Sequence, residues 1–452
     1  MRSRGWLVLS LFLAVGLLLG VACGDDDDDD GEATEVAGDD DGGGPAEEDL
    51  SGESVDVLGL WGAEEITKFE AMYGPWTEAT GADVSFVGDR DINTTLTTRV
   101  EGGEPPDMAL PASLGIFRDF ASSGDLTPLS ECLEEGDLAA YPQSAIDVGT
   151  VDGELYGILM KAGNKGTMWY SPAAFDAAGY EVPTTFDEML ALADQIVADG
   201  GTPFSDAEEA GGGTGFPGSD WIQQIFLNMH GPALYDRWVS GDLPYSSDES
   251  REAWELFGQV LLTEGYLVGG PETALATPFA QGSVPLFTGD YPAQPDAYMH
   301  YLGSFNAGFI VDPANGFPEG LEAGVDYDYF PFPTIGDNAP GVTGDANIMM
   351  IFNSDPKTCS LLRWLATGEA QQIWVALGGF TSFSTDVDVA AYPTDLERKA
   401  AEQLANPETV FRFDADDAMP TGVGAAVFAG VIAYLQGGDL DEILQSIEAT
   451  FP

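Results

Sequence analysis

Seventy-seven acidic side chains set against two histidines and three cysteines bound the chemistry open to this 452-residue chain. Paired carboxylates could act as acid and nucleophile in glycoside cleavage. With so many acids some pair will always look suitable, so the pattern carries no weight without geometry. No HExxH, GxSxG or phosphate-cradling P-loop is present. His230 and His300 are too few for a histidine-rich metal site, and ordinary polar positions account for both. Asp25–Asp30 form an uninterrupted run. A calcium loop of the EF-hand kind needs a turn-forming glycine in its middle, so this run allows only loose cation association. Cys132 and Cys359 could pair in an oxidising compartment, and their spacing does not decide it. No metal or cofactor is expected.

Charge excludes one class of partner. The formal net charge is −62, from 77 acidic and 15 basic residues. Phosphate binding needs clustered Lys and Arg, so nucleic acid is not a partner for this surface. Such an excess repels itself unless salt screens it, which suggests a saline habitat. A melting temperature that fails to rise between low and seawater-like NaCl would remove that reading.

The first 50 residues read as targeting and spacing. Arg2 and Arg4 precede an uncharged apolar stretch, Trp6 to Ala22. That is the layout of a signal peptide over 1–22, at the short end of the ~17–25 residues that cross a bilayer. Cys23 follows Ala22 directly and resembles the cysteine of a bacterial lipobox, which takes a lipid on its sulfur and becomes the first residue. Gly20 stands where that motif usually has Leu, and Leu19 lies one place further out. Small residues at Gly20 and Ala22 would also suit an ordinary signal peptidase. Residues 24–50 hold 14 acids among Gly and Ala. Such a block cannot bury a core, so 23–53 is expected to be an extended acidic tether.

Beyond the tether, strand and helix patterns alternate. "VDVLGLW" reads as a buried strand, and 63–78 as a helix with Phe69, Met72 and Trp76 on one face. "GADVSFVG" is the next strand, Asp91 N-caps a helix to Val100, "PPDMALP" is a strand, and Ser113 caps the following helix. This alternation argues for an α/β fold with a mainly parallel sheet. The middle is more helical, over 185–198, 219–229, 249–264 and 271–281, with short strands expected at "SVPLF", "GFIVD" and "YDYFPFP". "NIMMIFN" is a strand followed by helices to the end.

These segments, in this order, resemble a known family. "WGAEEITKFEAMYGPWTEATGADV", "RDINTTLTTRVEGGEPPDMALP", "TMWYSPAAFDAAGY", "FPGSDWIQQIFLN", "LRWLATGEAQQIW", "GGFTSFSTDV" and "FRFDADDAMP" mark it. The chain resembles the extracytoplasmic solute-binding proteins of carbohydrate ABC transporters, in the maltose-binding-protein group and its α-glucoside-binding branch. The resemblance implies a two-lobe periplasmic-binding-protein fold (type II-like), with a sugar in the cleft between lobes joined by hinge strands. It implies lobe 1 over 54–161 and 338–395, and lobe 2 over 162–337 and 396–452 with the C-terminal helices.

A sugar offers apolar C–H faces and a rim of hydroxyls, so its site needs flat aromatics and hydrogen-bonding side chains. On that reading Trp61 ends the first strand, at the sheet edge where open α/β folds bind ligands. Glu64 and Glu65 open the next helix, where they could reach a hydroxyl or simply complement the helix N-terminus. Arg90 and Asp91 stand at another strand-to-helix junction, as a hydroxyl-orienting pair or a solvent ion pair. One of Trp169 and Tyr170 is expected to face the cleft. Ser219 would cap a helix that carries Asp220 and Trp221 to the sugar. Asp345 is either a cleft residue or a turn residue. Gly379 and Phe380 follow a helix and could bring backbone close to ligand, or cap the helix. Arg412 completes the set, and Arg412→Ala is expected to weaken binding.

One departure puts the sugar's identity in doubt: Ala429 stands beside Phe428 where maltose-type relatives carry Trp. The expected partners are a sugar, the permease subunits of an importer and, through lipid on Cys23, the outer face of the cell membrane, with the chain acting as a monomer and not as an enzyme. Secreted carbohydrate hydrolase and acidic cation-binding surface protein are the other classes kept open.

Overall fold

The computed structural model describes residues 49–452 except Ala63, Arg90, Glu135, Pro407 and Thr421, with only the backbone of Glu64 and Pro313. The signal peptide, Cys23, nearly all of the acidic tether and Arg90 therefore lie outside the described residues. Among the described residues no helix is long and apolar enough to cross a membrane.

Two sheets organise the chain. The first is built from β1 (Ser54–Gly59), β2 (Asp83–Gly88), β3 (Met108–Leu110), a short hairpin of β4 (Thr150–Val151) and β5 (Glu154–Leu155) standing beside it, then β6 (Gly157–Asn164). The second takes β7 (Thr167–Tyr170), β8 (Phe204–Ser205), β9 (Met299–Tyr301) and β10 (Asp328–Pro331), in the order β10-β7-β9-β8. The chain then returns to the first sheet with β11 (Gly341–Ile351), β12 (Thr381–Ser382) and β13 (Val410–Phe413). The first sheet runs β12-β6-β11-β3-β1-β2, with β13 beside the opening residues of β11. β1 pairs in parallel with both β2 and β3, as strand–helix alternation requires, while β11 is antiparallel to β3 and β6. The return of β11 from the second sheet to the first is what makes two lobes. β13, which the sequence reading places in the 396–452 part of lobe 2, pairs in parallel with Gly341–Gly344 of β11.

Local chemistry sets the elements. The helix Glu64–Thr80 turns Phe69, Met72 and Trp76 inward, all fully buried. Ser113 caps Leu114–Ser123 by accepting from the Ile116 N–H, and Thr185 with Glu188 forms a reciprocal capping box on Phe186–Ala198. Three expectations are corrected. "SVPLF" is a 3-10 turn over Val284–Phe287 and "GFIVD" lies largely in the helix Asn306–Ile310. Short apolar runs do not separate strand from buried helix by periodicity. The helix expected over 219–229 begins at Phe216 after a left-handed Gly215, so Ser219 is an interior residue and not its cap.

Cys132 and Cys359 form a disulfide with Cα atoms 4.9 Å apart. It closes a 227-residue loop that contains the whole second sheet. In the chain-entropy view such a closure restricts the unfolded chain by about 5 kcal/mol.

Candidate functional site

Between the sheets lies a cavity of about 630 Å³ with three walls. The first sheet supplies the floor. Leu60 and Trp61 leave the end of β1, Lys161 and Gly163 stand on β6, and Asp345 and Asn347 on β11. The Trp61 indole N–H donates to Asn347 Oδ1 at 3.0 Å, and its ring packs at 4.7 Å from Trp374 and 4.9 Å from Phe69. The floor aromatic is thus held by a buried amide and two rings. Gly163 and Asp345 are directly paired across the strands. A Cβ at Gly163 would sit 2.2 Å from Asp345 Oδ1, so glycine there gives the carboxylate its place beside the cavity.

The Lys161 ammonium donates to Glu65 Oε1 at 3.0 Å, with both side chains about a quarter exposed. Lys68 donates to the Gly378 carbonyl at 3.1 Å. Gly378 and Gly379 both have positive φ, 79° and 77°, which turns the chain sharply after the helix Gly368–Leu377. The Gly379 N–H is taken by Glu397 Oε1 at 2.8 Å. Glu397 belongs to the second wall, the helix Asp395–Ala405, which also lends Leu396 and Ala400. The third wall is the segment from Ser304 to Val311 together with Tyr327 and Tyr329 of the second lobe. A smaller pocket of about 140 Å³ shares Leu60 and Ala112 with the cavity and adds Asp91, Asn93, Ser113 and Asp417. Carboxylates, amides, hydroxyls and ammonium groups around a partly apolar cleft suit a ligand rich in hydroxyls.

Below this floor the chemistry changes. Lys165 is nearly buried, donates to Asp220 Oδ1 at 3.0 Å and is ion-paired with Asp414. Burial opposes its charge, yet the carboxylates of Asp220, Asp414, Asp416 and Asp345 lift its pKa well above the usual lysine range. Burial likewise pushes Asp220 up to about 7, with Lys165 pulling the other way. Asp220, Asp414 and Asp416 are the one metal-like carboxylate group among the described residues. The Lys165 ammonium already supplies a positive charge there.

A model of the bacterial extracellular solute-binding proteins matches residues 62–372. The chain belongs to that family. Among curated relatives, the osmoprotective compounds-binding protein GgtB of Synechocystis sp. is 37% identical over 89% of this chain and 94% of its own. The α-glucosides-binding periplasmic protein AglE of Rhizobium meliloti is 30% identical over 88% and 87%. Solved structures share the fold. The solute receptor AcbH, described as preferring β-D-galactopyranose, superposes with a TM-score of 0.74 at 15% identity, covering 88% of this chain and 97% of its own. Apo RafE from Streptococcus pneumoniae reaches 0.71 at 18%, covering 90% and 98%. These likenesses, with the returning β11, give the two-lobe solute-binding fold.

Within this solute-binding protein the sequence-derived residues separate. Trp61, Glu65, Asp345 and Gly379 line the cavity, and Asp91 lines the adjoining pocket. Asp91 precedes the helix Ile92–Glu101 as expected, but its carboxylate accepts from Thr94 Oγ1 and caps no backbone N–H. The helix Glu64–Thr80 begins at Glu64, whose side chain is not described.

The others lie elsewhere. Trp169 is buried in a second-lobe core and donates to the Leu302 carbonyl at 2.8 Å, and Tyr170 packs on Phe175 and Phe330. Asp220 and Trp221 are each 1% exposed. Asp220 is held by Lys165, and Trp221 packs 4.5 Å from Tyr301. Both lie in a helix that is buried on every side from Pro217 to Asn228. Phe380 is buried against Trp374 while its neighbour Gly379 lines the cavity. Arg412 lines a separate groove of about 470 Å³ and makes a two-pronged pair with Asp236.

Lys161, Asn347, Tyr327, Tyr329 and Glu397 line the cavity and were not anticipated. A signal for Lys161 existed: it is one of five lysines in the chain and interrupts the otherwise uncharged strand "GILMKAGN".

Proposed function

We propose that the chain captures a small, neutral, hydroxyl-rich solute, an α-glucoside or short oligosaccharide, outside the cell. The observation that carries this is a cavity between the two sheets lined by Asp345, Glu65, Lys161 and Asn347, side chains able to bond hydroxyls, with Trp61 in its floor. Ligand that bridges the walls favours the closed arrangement of the lobes, which the permease subunits of an ABC importer recognise. The names of the relatives, osmoprotective compounds and α-glucosides, support the ligand class. The aromatic lining supports a short ligand. Trp61, Trp374 and Tyr329 are at most 2% exposed, so few broad stacking faces are open to a long chain of sugar rings.

The proposal includes an anchor: lipid on Cys23 tethers a monomer to the outer face of the cell membrane, and the acidic segment that follows holds the lobes away from anionic lipid. A thermal-shift screen against mono-, di- and trisaccharides and uncharged compatible solutes tests the function. Saturable stabilisation by one such class, without release of reducing sugar, is the expected result. Turnover of the sugar would replace the binding protein with a hydrolase.

A further inference from the structure

The helix Phe216–His230 presents a stripe of fully buried polar side chains, Asp220, Gln223, Gln224 and Asn228. Their spacing of three, four and eight residues puts them on one face. The helix is buried on every side from Pro217 to Asn228, where apolar side chains would be the rule, so a polar stripe needs partners. Each side chain has one, and the partners come from three separate chain passages at the junction of the lobes.

Asp220 holds Lys165, in the short passage between β6 and β7. Gln224 accepts from the Thr343 backbone N–H and Oγ1, both at 2.8 Å, and donates to the Gly341 carbonyl at 2.7 Å. Asn228 takes the Gly341 N–H at 3.0 Å and donates back to its carbonyl at 3.1 Å, so the opening of β11 is gripped twice. Gln223 accepts from the Ala415 N–H, just beyond β13. The passages are tied to one another as well. The Lys165 N–H donates to the Thr343 carbonyl at 2.9 Å, and the Lys165 ammonium is ion-paired with Asp414.

We infer that this helix is the hinge-setting element: its polar stripe fixes the three passages in register and limits the range of lobe orientations before ligand arrives. Asp220, Gln224 and Asn228 are positioning residues, none of which lines the cavity. Releasing one grip frees the backbone of a passage without altering a ligand contact. A hinge restrained in this way lowers the conformational cost of binding, since fewer orientations must be given up. The inference deepens the closure mechanism proposed above and rests on it only for its consequence.

The test reads lobe orientation in the ligand-free mature chain, so a wrong sugar assignment does not affect it. Spin labels at exposed Thr98→Cys and Glu319→Cys report the interlobe distance distribution by pulsed electron resonance. Gln224→Met, and separately the charge-neutral set Lys165→Met with Asp220→Asn and Asp414→Asn, should each stay folded and broaden that distribution by about 1.5-fold or more. Asn228→Ala serves if either fails to fold. Tyr266→Phe, which loses a hydrogen bond to Asp194 remote from the junction, should lower stability without broadening. Unchanged distributions in the folded hinge variants would overturn the inference, as would equal broadening in Tyr266→Phe.

Discussion

Two lysines four residues apart, Lys161 on β6 and Lys165 just beyond its end, each face carboxylates and do different work. Lys161 and Glu65 are about a quarter exposed and line the cavity. Lys165, Asp220 and Asp414 are 9%, 1% and 0% exposed at the side chain. Water reaches the first pair, so its hydrogen bonds can be exchanged for ligand hydroxyls at small cost. The second group, one lysine and two carboxylates, is sealed in, where burial keeps water from replacing a lost partner. Chemistry of the same type is left open to the cavity in one case and sealed in the interior in the other, according to burial.

The largest break in that comparison is Lys165→Met. It strands two buried carboxylates, and urea unfolding should show a loss of about 3–5 kcal/mol. A loss below about 1 kcal/mol would mean the lock is not one.

The pH dependence comes next. Burial raises Asp206 to about 6 and Asp220 to about 7 in the folded chain, against 3.8 for an ordinary aspartate. The native state then binds more protons than the unfolded chain between those values. Stability from these groups is fully present below about pH 4 and is lost as pH rises through 6 to 7. The melting temperature at fixed salt should therefore fall by at least about 3 °C between pH 5 and pH 8, and Asp206→Asn should flatten the slope. A rise over that range would contradict the burial argument.

Lys161→Met is the counterpart on the exposed side. Its effect on stability should stay under about 1 kcal/mol, because partly exposed pairs contribute little. Its effect on affinity should be at least tenfold, about 1.4 kcal/mol, by calorimetry. An unchanged dissociation constant would remove the pair from the site. The smallest effect is expected of Arg412→Ala. Its guanidinium is committed to Asp236 in another groove, so affinity should stay within about twofold. A tenfold loss would bring Arg412 back to the ligand.

The contrast also explains what the sequence disclosed. Trp61 follows β1 and Asp345 stands on β11. Their approach to one cavity agrees with the alternation and the return to the first lobe that the sequence implies, which leaves Asp345 open as a turn residue. The sequence leaves Gly379 open between approach to ligand and a helix cap; it stands in the turn after the helix and lines the cavity. Asp220 and Trp221 could not be read, because "GSDW" looks like an exposed cap until Gly215 is seen to start the helix earlier. Depth sets Asp220 against Lys165 and Trp221 against Tyr301, away from the cavity lining. Scarcity of basic residues was a usable signal, but applied to Arg412 it led to a surface pair, and applied to Lys161 it would have led to the cavity floor. The walls formed by residues 304–311 and by the helix Asp395–Ala405 bring together segments far apart in the chain. Only tertiary packing joins them.

The central claim is that the cavity between the sheets holds the solute through partners such as Asp345. Calorimetric titration of the wild type and of Asp345→Ala with the sugar that stabilises the protein tests it most directly. The account expects one saturable site in the wild type and at least tenfold weaker binding in a variant that melts at the same temperature. Equal affinity in the folded Asp345→Ala variant would contradict it.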